Sequence, residues 1–153
     1  MGIHEFEPRD ENFDGKVRES FALQEAMKTI GCSIDSLEAG KIEIHFPFNK
    51  ALTQQHGFIH AGILSTVMDS ACGYAAFSLM PADAAVLSIE FKVNLLSPAK
   101  GDAFRVVANV IRLGKTITVC AAETFSINGT KQKRVANMTG TMMAVFDREG
   151  IKN

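Results

Sequence analysis

Full charge is almost missing from the middle of this chain: between Lys50 and Asp83 the only charged side chain is Asp69. Other absences exclude whole classes of function. Basic residues are scattered and the net charge is −1, so nothing marks a nucleic-acid-binding surface. The three cysteines, Cys32, Cys72 and Cys120, are odd in number and lack metal-ligand spacing. That argues against a disulfide framework and for a reducing, cytoplasmic setting. The opening Met-Gly-Ile-His-Glu-Phe-Glu-Pro has neither a basic n-region nor an apolar stretch, so no signal peptide is expected. There is no Gly-x-Ser-x-Gly nucleophile elbow, no glycine-rich phosphate loop, no internal repeat and no domain linker.

What remains is ordinary globular composition, 46% apolar and 22% charged over 153 residues, enough for one domain with a real core. Residues 1–12 are charged and expected to be flexible; residues 13–153 are expected to form a single domain. Val17, Phe21, Leu23, Met27 and Ile30 fall mainly on one side of a helix predicted over 14–30, with Gly31 as its stop. Ala39-Gly40 reads as a turn, and Lys41-Ile-Glu-Ile-His-Phe46 alternates as a half-buried strand. Leu87, Ile89, Phe91, Val93 and Leu95 alternate with polar residues, predicting a long strand with one apolar face. Strands over 103–112, 116–127 and 133–146 follow, with Leu113-Gly114-Lys115 and Asn128-Gly129 as the turns between them. One or two strands, a long helix, then a four-stranded meander give an α+β domain with an antiparallel sheet.

The central run, 60–79, is apolar on nearly every side. It carries Asp69, four Ser or Thr residues and two glycines, without basic flanks, which argues against a membrane span. A helix of this kind in a soluble domain calls for a sheet curved around it. A carboxylate on a buried helix costs several kcal/mol unless paired, hydrogen-bonded or protonated, so Asp69 is kept for a partner or for chemistry. The loop Thr53-Gln-Gln-His-Gly-Phe-Ile59 enters the helix at His60-Ala61-Gly62. A helix entrance leaves backbone N–H groups without intrahelical partners, and its dipole adds partial positive charge. Small residues there let a carbonyl approach an oxyanion site, and a carboxylate in the same pocket suits attack on an acyl group.

The stretch Gln54-x-x-Gly57-x-x-His60-Ala61-Gly62, with Asp69 seven residues further on, resembles the signature of hotdog-fold acyl-CoA thioesterases of the PaaI-type branch. Leu96-Ser-Pro-Ala-Lys-Gly-Asp102 and Gly114-Lys115-Thr116 resemble the same branch. The likeness spans roughly residues 38–146. Two positions depart from the family pattern: Ala61 replaces the first Gly of a Gly-Gly pair, and Gln54 stands for Asn. The resemblance implies a hotdog fold and hydrolysis of an acyl-CoA thioester. Asp69 is implied as the nucleophile or general base and the Ala61 N–H as the carbonyl-polarising donor. Gln54 is implied as an amide donor, Ser88 as holder of the attacking water, and His60 as a loop brace beside Gly57 and Gly62. Gly114, Lys115 and Thr116 are implied near the nucleotide end of coenzyme A. It further implies no metal or organic cofactor, and a homo-oligomer. In that assembly a dimer forms through the 86–95 edge, two dimers make a tetramer, and Asp69 faces the 54–62 loop of its neighbour.

The residues leave other readings open. Ser88 stands on the polar side of the strand's alternation, where an exposed serine is the default, and Lys115 by default is a solvated turn residue. His56 and His60 have a zinc-like spacing but no third ligand nearby. Cys72 reads as an inert buried thiol. A non-catalytic acyl-CoA-binding module is the alternative from another class. A hotdog hydratase is a third, although the His-Ala-Gly entrance with a helix-central Asp fits hydrolysis better.

Overall fold

The computed structural model of the chain describes residues 6–151. The flexible segment expected over 1–12 therefore lies partly outside the described residues. Residues 6–12 have no regular structure but are fastened: Phe6 packs against the core, and Arg9 N–H donates to the Leu79 carbonyl at 3.4 Å. Instead of one helix over 14–30 there are two, α1 (Phe13–Leu23) and α2 (Glu25–Ile30). Gln24 separates them with an extended backbone (φ −81°, ψ 103°). Gly31 ends α2 in the left-handed region at φ 85°, a position that favours glycine.

The strands are β1 (Ser33–Glu38), β2 (Lys41–Pro47), β3 (Ala85–Leu95), β4 (Ala103–Arg112), β5 (Ile117–Asn128) and β6 (Lys131–Val145). They make one antiparallel sheet in the order β1-β2-β4-β5-β6-β3. The last hairpin turns on Gly129-Thr130, one residue later than the Asn128-Gly129 signal suggests, because Asn128 still pairs with Lys131. The helix α3 (Ala61–Phe77) lies against the sheet's inner face and touches β2, β3, β4, β5 and β6. This is the expected α+β hotdog arrangement.

Alternation drives the packing. Ile42, Ile44 and Phe46 of β2 and Phe104, Val106 and Ala108 of β4 all point into the core, and Phe46 stacks on Phe104 with centroids 5.0 Å apart. From α3, Leu64, Val67, Met68, Ala71 and Ala75 meet them. Gly140 on β6 lets the helix come close: a Cβ there would sit 2.9 Å from the Met142 methyl and 3.7 Å from Cys72. The helix is not wrapped all round, however. Gly62, Thr66, Asp69, Ser70 and Gly73 remain at least partly open, and their spacing puts them on one strip of the helix. The sheet leaves this strip uncovered within a single chain.

Candidate active site

Asp69 stands in the middle of that open strip. The sequence expectation of a buried carboxylate holds only in part: within one chain Asp69 is partly buried and not sealed. Its side chain is nonetheless held. Ser88 Oγ–H donates to Asp69 Oδ1 at 2.7 Å, within the short range of charge-assisted bonds. Ser88 Oγ also lies 3.3 Å from Met142 Sδ. A serine has one proton, and a carboxylate outcompetes a thioether for it. The other carboxylate oxygen, Oδ2, has no hydrogen-bond partner among the described residues.

A β-bulge makes the Ser88 contact possible. Ser88 pairs with Met142 and Glu90 with Thr141, so Ile89 is the extra residue. Met142 faces the core, and Ser88, opposite it, faces the same side. Strict alternation places Ser88 on the polar side; the bulge resets the parity. Phe91, Val93 and Leu95 then return to the inner side, opposite Gly140, Met138 and Ala136.

The second group of residues surrounds the helix entrance. His60 caps α3: its Nδ1 accepts the Gly62 N–H at 2.9 Å, leaving Nε2 to carry the proton of the neutral ring. Gly62 is small for a reason, since a Cβ there would lie 3.2 Å from His60 Nδ1. Ile63 and Leu64 donate to the His60 carbonyl. The Ala61 N–H is thus the first-turn donor without an acceptor among the described residues. Among the described residues Asp147 is the only non-glycine with positive φ, so Ala61 carries its Cβ without backbone strain where the family pattern has Gly. Gln54 turns back on its own loop, Oε1 accepting from the backbone N–H of His56 at 2.6 Å and Phe58 at 3.3 Å. That fixes the amide and leaves its Nε2 without an acceptor among the described residues. Gly57, at φ 85°, provides the left-handed step in this loop.

One chain does not bring the two groups together. Asp69 and Ser88 line a cavity of about 340 Å³, whereas Gln54 and Ala61 line another of about 500 Å³. Eight residues of helix separate Ala61 from Asp69, about 12 Å at the usual rise. Gly114, Lys115 and Thr116 form the β4–β5 turn. Gly114 is required there, because a Cβ would lie 2.0 Å from the Ile117 carbonyl oxygen. Thr116 accepts from Ala144 N–H at 2.9 Å, and Lys115 is exposed. The turn is level with Ser88 but two strands away, since Ile117 and Leu87 both pair with Met143. Among the described residues no three His, Cys, Asp or Glu side chains gather as a metal site, His56 and His60 included. Nor is any described helix long and apolar enough to cross a membrane.

Sequence reasoning missed four residues beside Asp69: Ser20, Gln24, Ser70 and Tyr74 line the same cavity. Gln24 Nε2–H donates to Tyr74 Oη at 3.1 Å, and Ser70 Oγ–H donates to Gln24 Oε1 at 2.6 Å. Burial pushes the Tyr74 phenol above its ordinary value, and its hydrogen bonds with Ser20 and Gln24 partly counter this. The signal was available: Tyr74 is the chain's one tyrosine, on an apolar helix, where a buried phenol needs a polar partner. Cys72, one turn past Asp69, is held protonated by burial first, with smaller contributions from Cys120 and Asp69.

Comparison with known proteins bears on what this arrangement does. The thioesterase superfamily profile matches residues 56–133. A solved thioesterase family protein from Silicibacter pomeroyi is 52% identical, with a TM-score of 0.87, covering 88% of this chain and 98% of that one. A Saccharolobus solfataricus protein that carries a provisional esterase name is 34% identical over 104 residues, 68% of this chain and 69% of its own. The 1,4-dihydroxy-2-naphthoyl-CoA hydrolase of Listeria monocytogenes is 26% identical over 92 residues, 60% of this chain and 75% of its own.

Proposed function

Because the chain belongs to the thioesterase superfamily and is a thioester hydrolase, we propose that it cleaves an acyl-CoA to a free carboxylic acid and CoA with Asp69 as the reacting carboxylate. The observation that carries this reading is the pairing of Asp69 with Ser88 on the open strip of α3. One carboxylate oxygen is held by a hydroxyl, and the other has no partner among the described residues in a side chain that lines the cavity. A free oxygen there can take a proton from water as that water attacks the thioester carbonyl. It can equally attack the carbonyl itself, forming a mixed anhydride that water then hydrolyses. Either route breaks the C–S bond. In the first, the proton taken from water passes to the departing thiolate. In the second, the thiolate leaves as the anhydride forms and takes up the proton released when water hydrolyses that anhydride. Both end in carboxylic acid and CoA–SH.

The charge that develops on the carbonyl oxygen needs a donor, and the Ala61 N–H supplies one at a helix N-terminus. Gln54 Nε2 is a second donor at the same entrance, with Gly57, His60 and Gly62 setting its shape. These groups lie too far from the Asp69 of the same chain, so the complete site combines Asp69 and Ser88 of one subunit with the 54–62 loop of another. The edge position of β3 supports this assembly. Its unpaired side and the exposed Ile89, Phe91 and Leu95 suit pairing with a second copy, giving a continuous sheet across a dimer, and two dimers a tetramer. Gly114, Lys115 and Thr116 contribute a cationic turn for the nucleotide end of CoA. A cytoplasmic location suits this reading, because three free cysteines fit a reducing compartment.

The competing reading, an acyl-CoA-binding module without turnover, gains if a cation neutralises Asp69. Its partner is a hydroxyl instead, which favours chemistry. The test is thiol release over a panel of aliphatic and aryl acyl-CoAs, with wild type and Asp69→Asn side by side. Turnover in wild type and its loss in a folded Asp69→Asn is the expected result. Activity that survives the substitution overturns the assignment of Asp69. Saturable binding without turnover in wild type favours the binding module.

A further inference from the structure

The cavity beside Asp69 has a second end, and the break between α1 and α2 builds it. Asp69, Ser70 and Tyr74 line it from α3, and Gln24 closes across them from the joint. From Asp69 to Tyr74 is five residues, about 7.5 Å along the helix axis. The Gln24 side chain is pinned at both ends of its amide, by Ser70 at 2.6 Å and by Tyr74 at 3.1 Å, with Ser20 Oγ 3.3 Å beyond on the same phenol. The joint does not need that side chain to hold its own backbone. Gln24 N–H donates to Phe21, and Met27 and Lys28 N–H donate to the Gln24 carbonyl. The bonds of the amide are therefore spent on the cavity wall.

With a thioester carbonyl at Asp69, the cavity offers its acyl group room along α3 toward Tyr74. A cavity of about 340 Å³ stands at the small end of the range for ligand sites. We infer that Gln24 is a specificity-determining residue: its doubly pinned amide is the end wall of the acyl cavity, so that short acyl groups fit beside Asp69 and long ones meet the α1–α2 joint. This rests on the thioesterase reading for the identity of the ligand and on the geometry of the joint for the wall. Removing the amide opens the wall and leaves the backbone of the joint in place. Removing the phenol hydroxyl leaves the wall's bulk in place but frees one of its pins.

The experiment measures binding of 2-oxoalkyl-CoA thioethers, which cannot be hydrolysed, in a series from butyl to decyl. Wild type, Gln24→Ala and Tyr74→Phe are compared by calorimetry, with thermal midpoints to show that each folds. In wild type, affinity falls for the longest members. In Gln24→Ala the ratio of long-chain to short-chain affinity rises at least tenfold, and in Tyr74→Phe about threefold in the same direction. A ratio that stays within twofold of wild type in both variants overturns the wall. Turnover of the matching acyl-CoAs by the same proteins separates the two claims. A shifted ratio without turnover keeps the wall and sinks hydrolysis. Turnover with an unshifted ratio keeps hydrolysis and sinks the wall, and failure of every analogue to bind sinks both.

Discussion

Strands β2 and β3 carry the same kind of alternating sequence and meet opposite fates. In β2, Ile42, Ile44 and Phe46 are 0% exposed. In β3, Ile89 is 52% exposed, Phe91 45% and Leu95 57%. β2 lies between β1 and β4 under α3, whereas β3 has a single neighbour, β6, and sits at the sheet's edge. Alternation encodes which residues share a face; topology decides whether anything covers it. An edge strand with an apolar face is an aggregation hazard unless something pairs with it, and it pairs well with a second copy of itself. The buried strand makes the fold, and the open strand lines the cavity that holds Asp69.

The most direct way to break this comparison is to make one deletion in each strand. Phe46→Ala removes a fully buried ring stacked on Phe104 and should cost about 3–5 kcal/mol, a large part of the stability of a domain this size. Phe91→Ala should cost the isolated chain about 1 kcal/mol or less, since the ring is already half in water. Urea unfolding checks the first. The second is checked at two protein concentrations, with sedimentation alongside. If β3 pairs with a copy, Phe91→Ala weakens the assembly and makes the midpoint fall more at low concentration. Equal losses in the two variants, independent of concentration, would show that the strands are covered alike.

This difference also marks where the sequence was readable. The strands of the meander and the central helix follow from periodicity and turn residues, whereas the edge role of residues 86–95 came from the family resemblance and is seen in the strand order. Two features did not follow. The α1–α2 break was hidden because Gln24 falls within an amphipathic pattern that Leu23 and Met27 continue. Its role is tertiary: the backbone closes the joint with its own hydrogen bonds, and the side chain is left to bond Ser70 and Tyr74, which are remote in sequence. The bulge at Ile89 was hidden because its neighbours keep a period of two on both sides, so an extra residue leaves the letter pattern intact while reversing Ser88. At the site, His60-Ala61-Gly62 and Asp69 stood out by type and spacing. What spacing could not show is that the two groups are separate within one chain, because subunit pairing is not written in local periodicity.

A smaller change sharpens the functional half of the comparison. Ser88→Ala removes the one hydrogen bond that the Asp69 side chain makes among the described residues. Bonds to charged groups contribute about 1.5–3 kcal/mol. If Ser88 orients the reacting carboxylate, kcat should fall roughly ten- to hundredfold, at about 1.4 kcal/mol per factor of ten. The thermal midpoint should barely move, because Ser88 stands at an open edge. Steady-state thiol release and a melting curve on the same protein check both. A lowered midpoint with unchanged kcat would make Ser88 a structural residue and weaken the case for Asp69.

The smallest expected effect comes from the buried half. Burial pushes the Cys120 thiol of β5 up to about 12 from an ordinary value of 9.0, with a backbone hydrogen bond from Ala76 opposing the shift. The folded chain thus keeps this proton at pH values where the unfolded chain releases it. The stability tied to the thiol is fully present below about pH 9 and is lost as pH rises toward about 12. The loss is at most about 1.4 kcal/mol per pH unit in that window. Urea midpoints at pH 8 and pH 10 should therefore fall more steeply for wild type than for Cys120→Ala, whatever the absolute cost of the substitution. β3 contains no cysteine, so changes there should leave this slope alone. Equal slopes in wild type and Cys120→Ala would mean that water reaches β5 as freely as it reaches β3, and the contrast between a sealed strand and an open one would fail on its own terms.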